Sequence, residues 1–129
     1  MTKNDEPAGD PFEGAEIIDT YTLKDALEDG VLVDLSTIGK IPVYAPVYQY
    51  IRYATRSLLS KGYEDKDGFN RPNLADLLVQ ASKGIRKGLM KGEDRLYECR
   101  VEFPDGSRGI VWAVTNEEGS LTLMLPEDY

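Results

Sequence analysis

Tyr97-Glu98-Cys99-Arg100-Val101-Glu102-Phe103 alternates strictly between side chains suited to a core and side chains suited to water. Successive strand residues point to opposite faces, so this is a strand with one buried face. Downstream, Pro104-Asp105-Gly106-Ser107 has the composition of a tight turn, and Asn116-Glu117-Glu118-Gly119 repeats it after a segment around Trp112. Strands over 95–103, 108–115 and 120–125 follow, forming an antiparallel meander.

Upstream of Gly92 the period changes. Leu74, Leu77, Leu78, Ala81, Ile85 and Leu89 recur at three and four residues, which predicts a helix over 73–91 capped by Asn70 or Asn73. Gly84 and Gly88 flank its apolar stripe, and each costs a helix about 1 kcal/mol relative to Ala, so close packing or early fraying is expected. Val47, Ile51, Ala54 and Leu58 form a similar stripe, predicting a second long helix over 46–60. Tyr53 then projects from its opposite side with Gln49, Arg52 and Arg56. Two helices preceding a meander make the fold class α+β.

Nearer the N-terminus, Glu16–Tyr21 reads as a short strand, and Thr22-Leu23-Lys24-Asp25 has the spacing of a capping box. The helix it starts should end at Gly30, burying Leu23, Ala26 and Leu27 and leaving Lys24, Glu28 and Asp29 toward water. Val31–Ser36 follows as a mostly apolar strand, expected to be buried on both faces. The result is a short strand-helix-strand preceding the main elements. Residues 1–14, rich in acids, Pro and Gly, read as a flexible arm before a single domain over 15–129.

The formal charge of −8 sits in the first 34 residues, where ten acids face Lys3 and Lys24; the remainder is balanced. A one-signed surface repels nucleic acid and steers toward basic surfaces. No run reaches the roughly 20 apolar residues of a membrane span, and the first residues lack a signal-peptide pattern, so a cytoplasmic location is expected. Histidine is absent, which removes the Ser-His and Cys-His nucleophilic arrangements and the common zinc sites. The single Cys99 allows no intramolecular disulfide and, alternating with Tyr97 and Val101, reads as a buried, inert thiol. Asp65-Lys66-Asp67-Gly68 suggests a calcium loop, but with Gly68 at the sixth position the first falls on Tyr63 and the twelfth on Leu74, so a solvated turn is expected. No cofactor or metal is expected.

Two surfaces remain as candidates. Lys83, Arg86, Lys87 and Lys91 could contact phosphates, or could simply complement the dipole at a helix end; the acidic overall balance favours the second. Tyr53 beside Arg56 has the composition of an interaction hot spot, although isolated surface aromatics are also common. Asp19, Glu28 and Asp29 are the carboxylates expected to meet a partner's basic surface, or alternatively to keep the protein soluble.

The segments Asp29-Gly30-Val31-Leu32-Val33-Asp34-Leu35-Ser36, Asp94-Arg95-Leu96-Tyr97-Glu98-Cys99-Arg100-Val101 and Leu121-Thr122-Leu123-Met124-Leu125-Pro126-Glu127-Asp128 resemble, in order, a family of small plasmid- and phage-borne proteins with no established activity. The resemblance implies a mobile-element setting and, by analogy with small acidic proteins that disable host defences, an anti-restriction or anti-CRISPR role. The leading expectation is therefore a non-enzymatic accessory protein that binds a host protein, of the class that holds nucleic acid, through its acidic surface. The alternatives are a nucleic-acid-binding accessory protein using residues 83–91, and a small enzyme with a carboxylate or Tyr-Arg site.

Overall fold

A computed structural model describes residues 22–37, 50–66 and 68–129. The strand expected over 16–21, the arm over 1–14 and residues 46–49 of the expected second helix lie outside these. The described chain has mixed α+β content, as its periodicities predict, with a five-stranded sheet and a two-stranded one.

Helix α1 (Leu23–Glu28) begins as its sequence dictates. The Thr22 hydroxyl accepts from the Asp25 amide at 3.1 Å, and the Asp25 carboxylate accepts from the Thr22 amide at 3.3 Å. Gly30 ends it with φ of +78°, which lets the Val31 and Gly30 amides donate back to Ala26 and Leu27. Strand β1 (Leu32–Asp34) follows and is cut short because the Asp34 carboxylate accepts from both the amide and the hydroxyl of Ser36, starting a 3-10 turn over Leu35–Thr37. Leu32 and Val33 are both buried, one on each face, as the apolar run predicts, but Val31 is exposed and Leu35 falls in the turn, so only the middle of the expected strand is formed.

The second long helix is not formed. Ile51–Thr55 is strand β2, and only Arg56–Leu59 makes a helical turn, α2, capped by the Thr55 hydroxyl. A bulge at Arg52 explains the misleading spacing. It shifts the register between Ile51 and Tyr53, so that Ile51 and Ala54, three residues apart, both join the main core while Tyr53 turns to the other face. Ile, Tyr and Thr also suit a strand better than a helix.

After a small hairpin of β3 (Glu64–Asp65) and β4 (Gly68–Phe69), Asn70 caps helix α3 (Arg71–Met90) by accepting from the Asn73 amide. The solvated turn expected at 65–68 thus falls within a hairpin. The meander then appears as β5 (Leu96–Glu102), β6 (Arg108–Thr115) and β7 (Leu121–Met124). The sheet order is β1-β2-β7-β6-β5, antiparallel throughout except where β2 runs parallel to β7.

One face of this sheet is covered by α3, whose Leu74, Leu77, Leu78, Ala81 and Ile85 pack with Tyr97, Cys99, Val111, Ala113 and Leu123. Burying each such leucine contributes about 1.5–3 kcal/mol. Close packing, not fraying, accounts for the helix glycines. A Cβ at Gly84 would lie 2.7 Å from the Cys99 sulfur and 2.8 Å from its Cα, and one at Gly88 would lie 2.5 Å from the Tyr97 ring. Glycine at both places lets the helix backbone rest directly on β5. On the other face α1 covers a small cluster of Ala26, Leu32 and Tyr53, and Tyr129 meets Trp112 edge-on at 5.4 Å.

Candidate functional site

Of the acidic candidates, the two that the structure describes lie at the end of α1, which packs on β1 at one edge of the sheet. Asp19 lies outside the described residues. Glu28 and Asp29 are exposed at the C-terminal end of α1, and Ala26 is buried with Leu23 and Leu27 packed beside it, matching the face expected from helical geometry. Several nearby acids hold the structure together. Asp25 completes the capping box, Glu117 in the β6–β7 turn accepts from the Leu23 amide at 3.3 Å, and Glu118 binds Arg52 and Tyr53.

Tyr53 requires a correction, because it is 3% exposed and not a surface aromatic. The bulged strand turns it beneath α1, where its hydroxyl donates to Glu118 at 3.0 Å and its ring lies 5.2 Å from the Arg52 guanidinium. Burial, helped by the Glu118 contact, pushes its phenol upward from the ordinary value. Arg52 in turn bridges Asp34 and Glu118, each at 3.2 Å. At Asp34 burial alone would raise the carboxyl, yet it lies below the usual range because hydrogen bonds from Ser36 and Arg52 outweigh that effect. The cluster is a clasp joining β1, β2 and the β6–β7 turn. Arg56 remains exposed but pairs with Glu64 at 3.2 Å, so Tyr53 and Arg56 serve different elements and form no common hot spot. Tyr50 is the exposed tyrosine of this strand region.

The basic candidates lie at the opposite edge of the sheet. Lys83, Arg86, Lys87 and Lys91 are all exposed on the second half of α3. Three of them, Lys83, Lys87 and Lys91, line a groove of about 440 Å³ beside β5, whose other charged walls are Glu93, Glu98 and Arg100; Arg86 does not line it. A second depression of about 530 Å³ continues past Arg100 and Gln80 toward Arg108.

The main chain of β5 adds to this groove. The Thr115 amide donates to Arg95 at 2.8 Å and the Phe103 amide to Ser107 at 2.8 Å, which fixes which cross-strand pairs exchange hydrogen bonds. Such pairs alternate in an antiparallel ladder. Tyr97, Cys99 and Val101 therefore turn their N–H and C=O groups to β6, while Leu96, Glu98, Arg100 and Glu102 turn theirs outward. Glu102 is already served, since its amide donates to the Gln80 side-chain oxygen at 2.8 Å and its carbonyl accepts from the Gln80 side-chain nitrogen at 3.1 Å. Among the described residues nothing else bonds to this edge. The sequence shows the lysines as a basic cluster at a helix end but carries no signal for the edge, which depends on strand order.

Cys99 is buried beneath α3, with its sulfur 3.4 Å from the Ala81 carbonyl, and burial pushes its thiol up to about 12. A group held so far toward its neutral form is a poor nucleophile. The expected result is that a bulky thiol reagent at pH 8 leaves native Cys99 unmodified and labels it fully once the protein is unfolded, as mass spectrometry would show; rapid labelling of the native protein would contradict the burial.

Another polar cluster escaped sequence reasoning. The Ser57 hydroxyl donates to Asp128 at 2.6 Å, the Thr55 hydroxyl donates to the same carboxylate at 2.8 Å, and the Leu125 amide does so at 3.0 Å. It anchors the segment after β7 to the start of α2. No group of His, Cys, Asp or Glu among the described residues is arranged to hold a metal, and no helix among them is long and apolar enough to cross a membrane. No family model matches the chain, and no curated protein or solved structure matches it.

Proposed function

We propose that this chain is a non-catalytic accessory protein of a mobile element that binds a host protein through the acidic face at the end of α1. The observation that carries the reading is the exposed position of Glu28 in the last turn of α1, with Asp29 next to it on the surface. The C-terminal end of a helix bears partial negative charge, so an acid such as Glu28 there is unfavourable by about 0.3–1 kcal/mol, and α1 has no basic residue in its last turn to offset it. The place of Glu28 is not explained by the stability of the helix. A partner's Lys or Arg side chains would explain it, because exposed carboxylates on an anchored element attract a basic surface over a Debye length. The polar groups nearby hold backbone and strands together, which suits a rigid recognition surface. A basic surface that ordinarily holds nucleic acid is the partner class, and occupying it would block that nucleic acid.

The test is capture of host proteins on the immobilised wild type and on the Glu28→Gln/Asp29→Asn double variant. The variant should melt no lower than the wild type and recover a specific partner about tenfold less well at low ionic strength, with the difference shrinking as salt screens the charges. Added nucleic acid should displace the partner. Equal recovery by both proteins at every salt concentration would reject the acidic face as the interface.

A further inference from the structure

We propose that the outer edge of β5 is a strand-addition site for an extended acidic peptide of another protein. It is a second binding surface, at the opposite edge of the sheet from α1. A peptide adds to a sheet through main-chain hydrogen bonds, with selectivity supplied by the side chains around the edge. Both parts are present. Leu96, Glu98 and Arg100 offer their N–H and C=O groups outward, and Gln80 shows what the edge accepts, because its amide makes with Glu102 the paired donor and acceptor bonds that an added strand would make. Gln80 also sets the limit of the site at Glu102.

The groove beside the edge selects for charge and spacing. Lys83, Lys87 and Lys91 stand four residues apart on α3, a rise of about 6 Å per step. Side chains on one face of an extended strand repeat at about 6.6–6.8 Å, close to the same interval. Helix and strand also run alongside each other, since Gly84 rests on Cys99 and Gly88 on Tyr97. A peptide with Asp or Glu at every second position would thus present its carboxylates to successive lysines while its main chain pairs with β5. A second copy of this chain fits less well, because edge-to-edge pairing would bring two sets of the same lysines together. Nucleic acid also fits less well, because it cannot use the main-chain ladder.

The experiment uses the whole chain and a labelled decapeptide alternating Glu with Thr and Val. The expected result is saturable binding, with slowed amide exchange at Leu96, Glu98 and Arg100. Lys83→Glu/Lys87→Glu should weaken it about tenfold or more by placing like charges opposite the carboxylates. N-methylation of the peptide at alternate amides should abolish it. Glu98→Pro should do the same while leaving the ladder to β6 in place, since the N–H it removes points outward and proline is tolerated on an edge strand. Equal binding of the N-methylated peptide would overturn the proposal, as would tighter binding of a single-stranded oligonucleotide of equal charge, or a β5-mediated dimer that excludes the peptide. If Glu98→Pro fails to fold, the N-methylated peptide against wild type still decides.

Discussion

Gly84→Ala is expected to lower the melting temperature by about 10 °C, although alanine is the better helix former. Overpacking a well-filled core costs up to about 3 kcal/mol or more, whereas the gain in helix propensity is about 1 kcal/mol, so the clash wins. The clash cannot be relieved cheaply. Beyond the Cys99 sulfur, the added methyl would meet the Cα of Cys99 at 2.8 Å and its Cβ at 2.9 Å, and those atoms move only if β5 moves. For that reason adding Cys99→Ala should not rescue the variant. Thermal melts of the two single variants and the double variant test this, and a stabilised Gly84→Ala would show that α3 does not rest on β5 at this point.

Raising the pH to 11 is expected to remove about 4 kcal/mol of stability through two buried groups alone. Burial pushes the Cys99 thiol up to about 12 from 9.0 and the Tyr63 phenol up to about 12 from 10.0. Unfolding restores the ordinary values, so the unfolded chain loses these protons first and is favoured as the pH rises. Their contribution is fully present below pH 9 and is lost progressively between the unfolded values and about 12. Each pH unit above an unfolded value costs about 1.4 kcal/mol per group, giving about two units' worth from Cys99 and one from Tyr63 at pH 11. Denaturant unfolding of wild type and Cys99→Ala across pH 8 to 11 isolates the first part. The two stability curves should converge with rising pH by about 2.7 kcal/mol, and parallel curves would mean that the thiol ionises freely in the folded protein.

Much of the fold was legible because its signals are local. The alternation through Tyr97–Phe103, the glycine turns after it, the stripe on α3 and the capping box at Thr22 each concern residues that interact within a few positions. Strand β2 was not legible, because its bulge places Ile51 and Ala54 on one face and so imitates a helix. The burial of Tyr53 followed the same error. At the candidate surfaces, the exposure of Glu28 and Asp29 and the row of Lys83, Lys87 and Lys91 could be read from helical geometry. The open edge of β5, the pairing of Gln80 with Glu102 and the anchoring of Asp128 to Ser57 could not, since each joins segments that only the completed topology brings together.

The parallel pairing of β2 with β7 also imposes an order on folding. When the chain is made from its N-terminus, β1 and β2 emerge some 65 residues ahead of the strand that links them to the rest of the sheet. Until Leu121–Met124 arrives, β2 has one partner of three residues and an open side, and such a pair has little stability alone. Helix α3 with β5 and β6 can assemble first, because their contacts are short in sequence. Insertion of β7 between β2 and β6 then closes the sheet in one late step. A nascent chain stalled before Leu121 should consequently expose the inner faces of both halves and depend on chaperones until synthesis resumes.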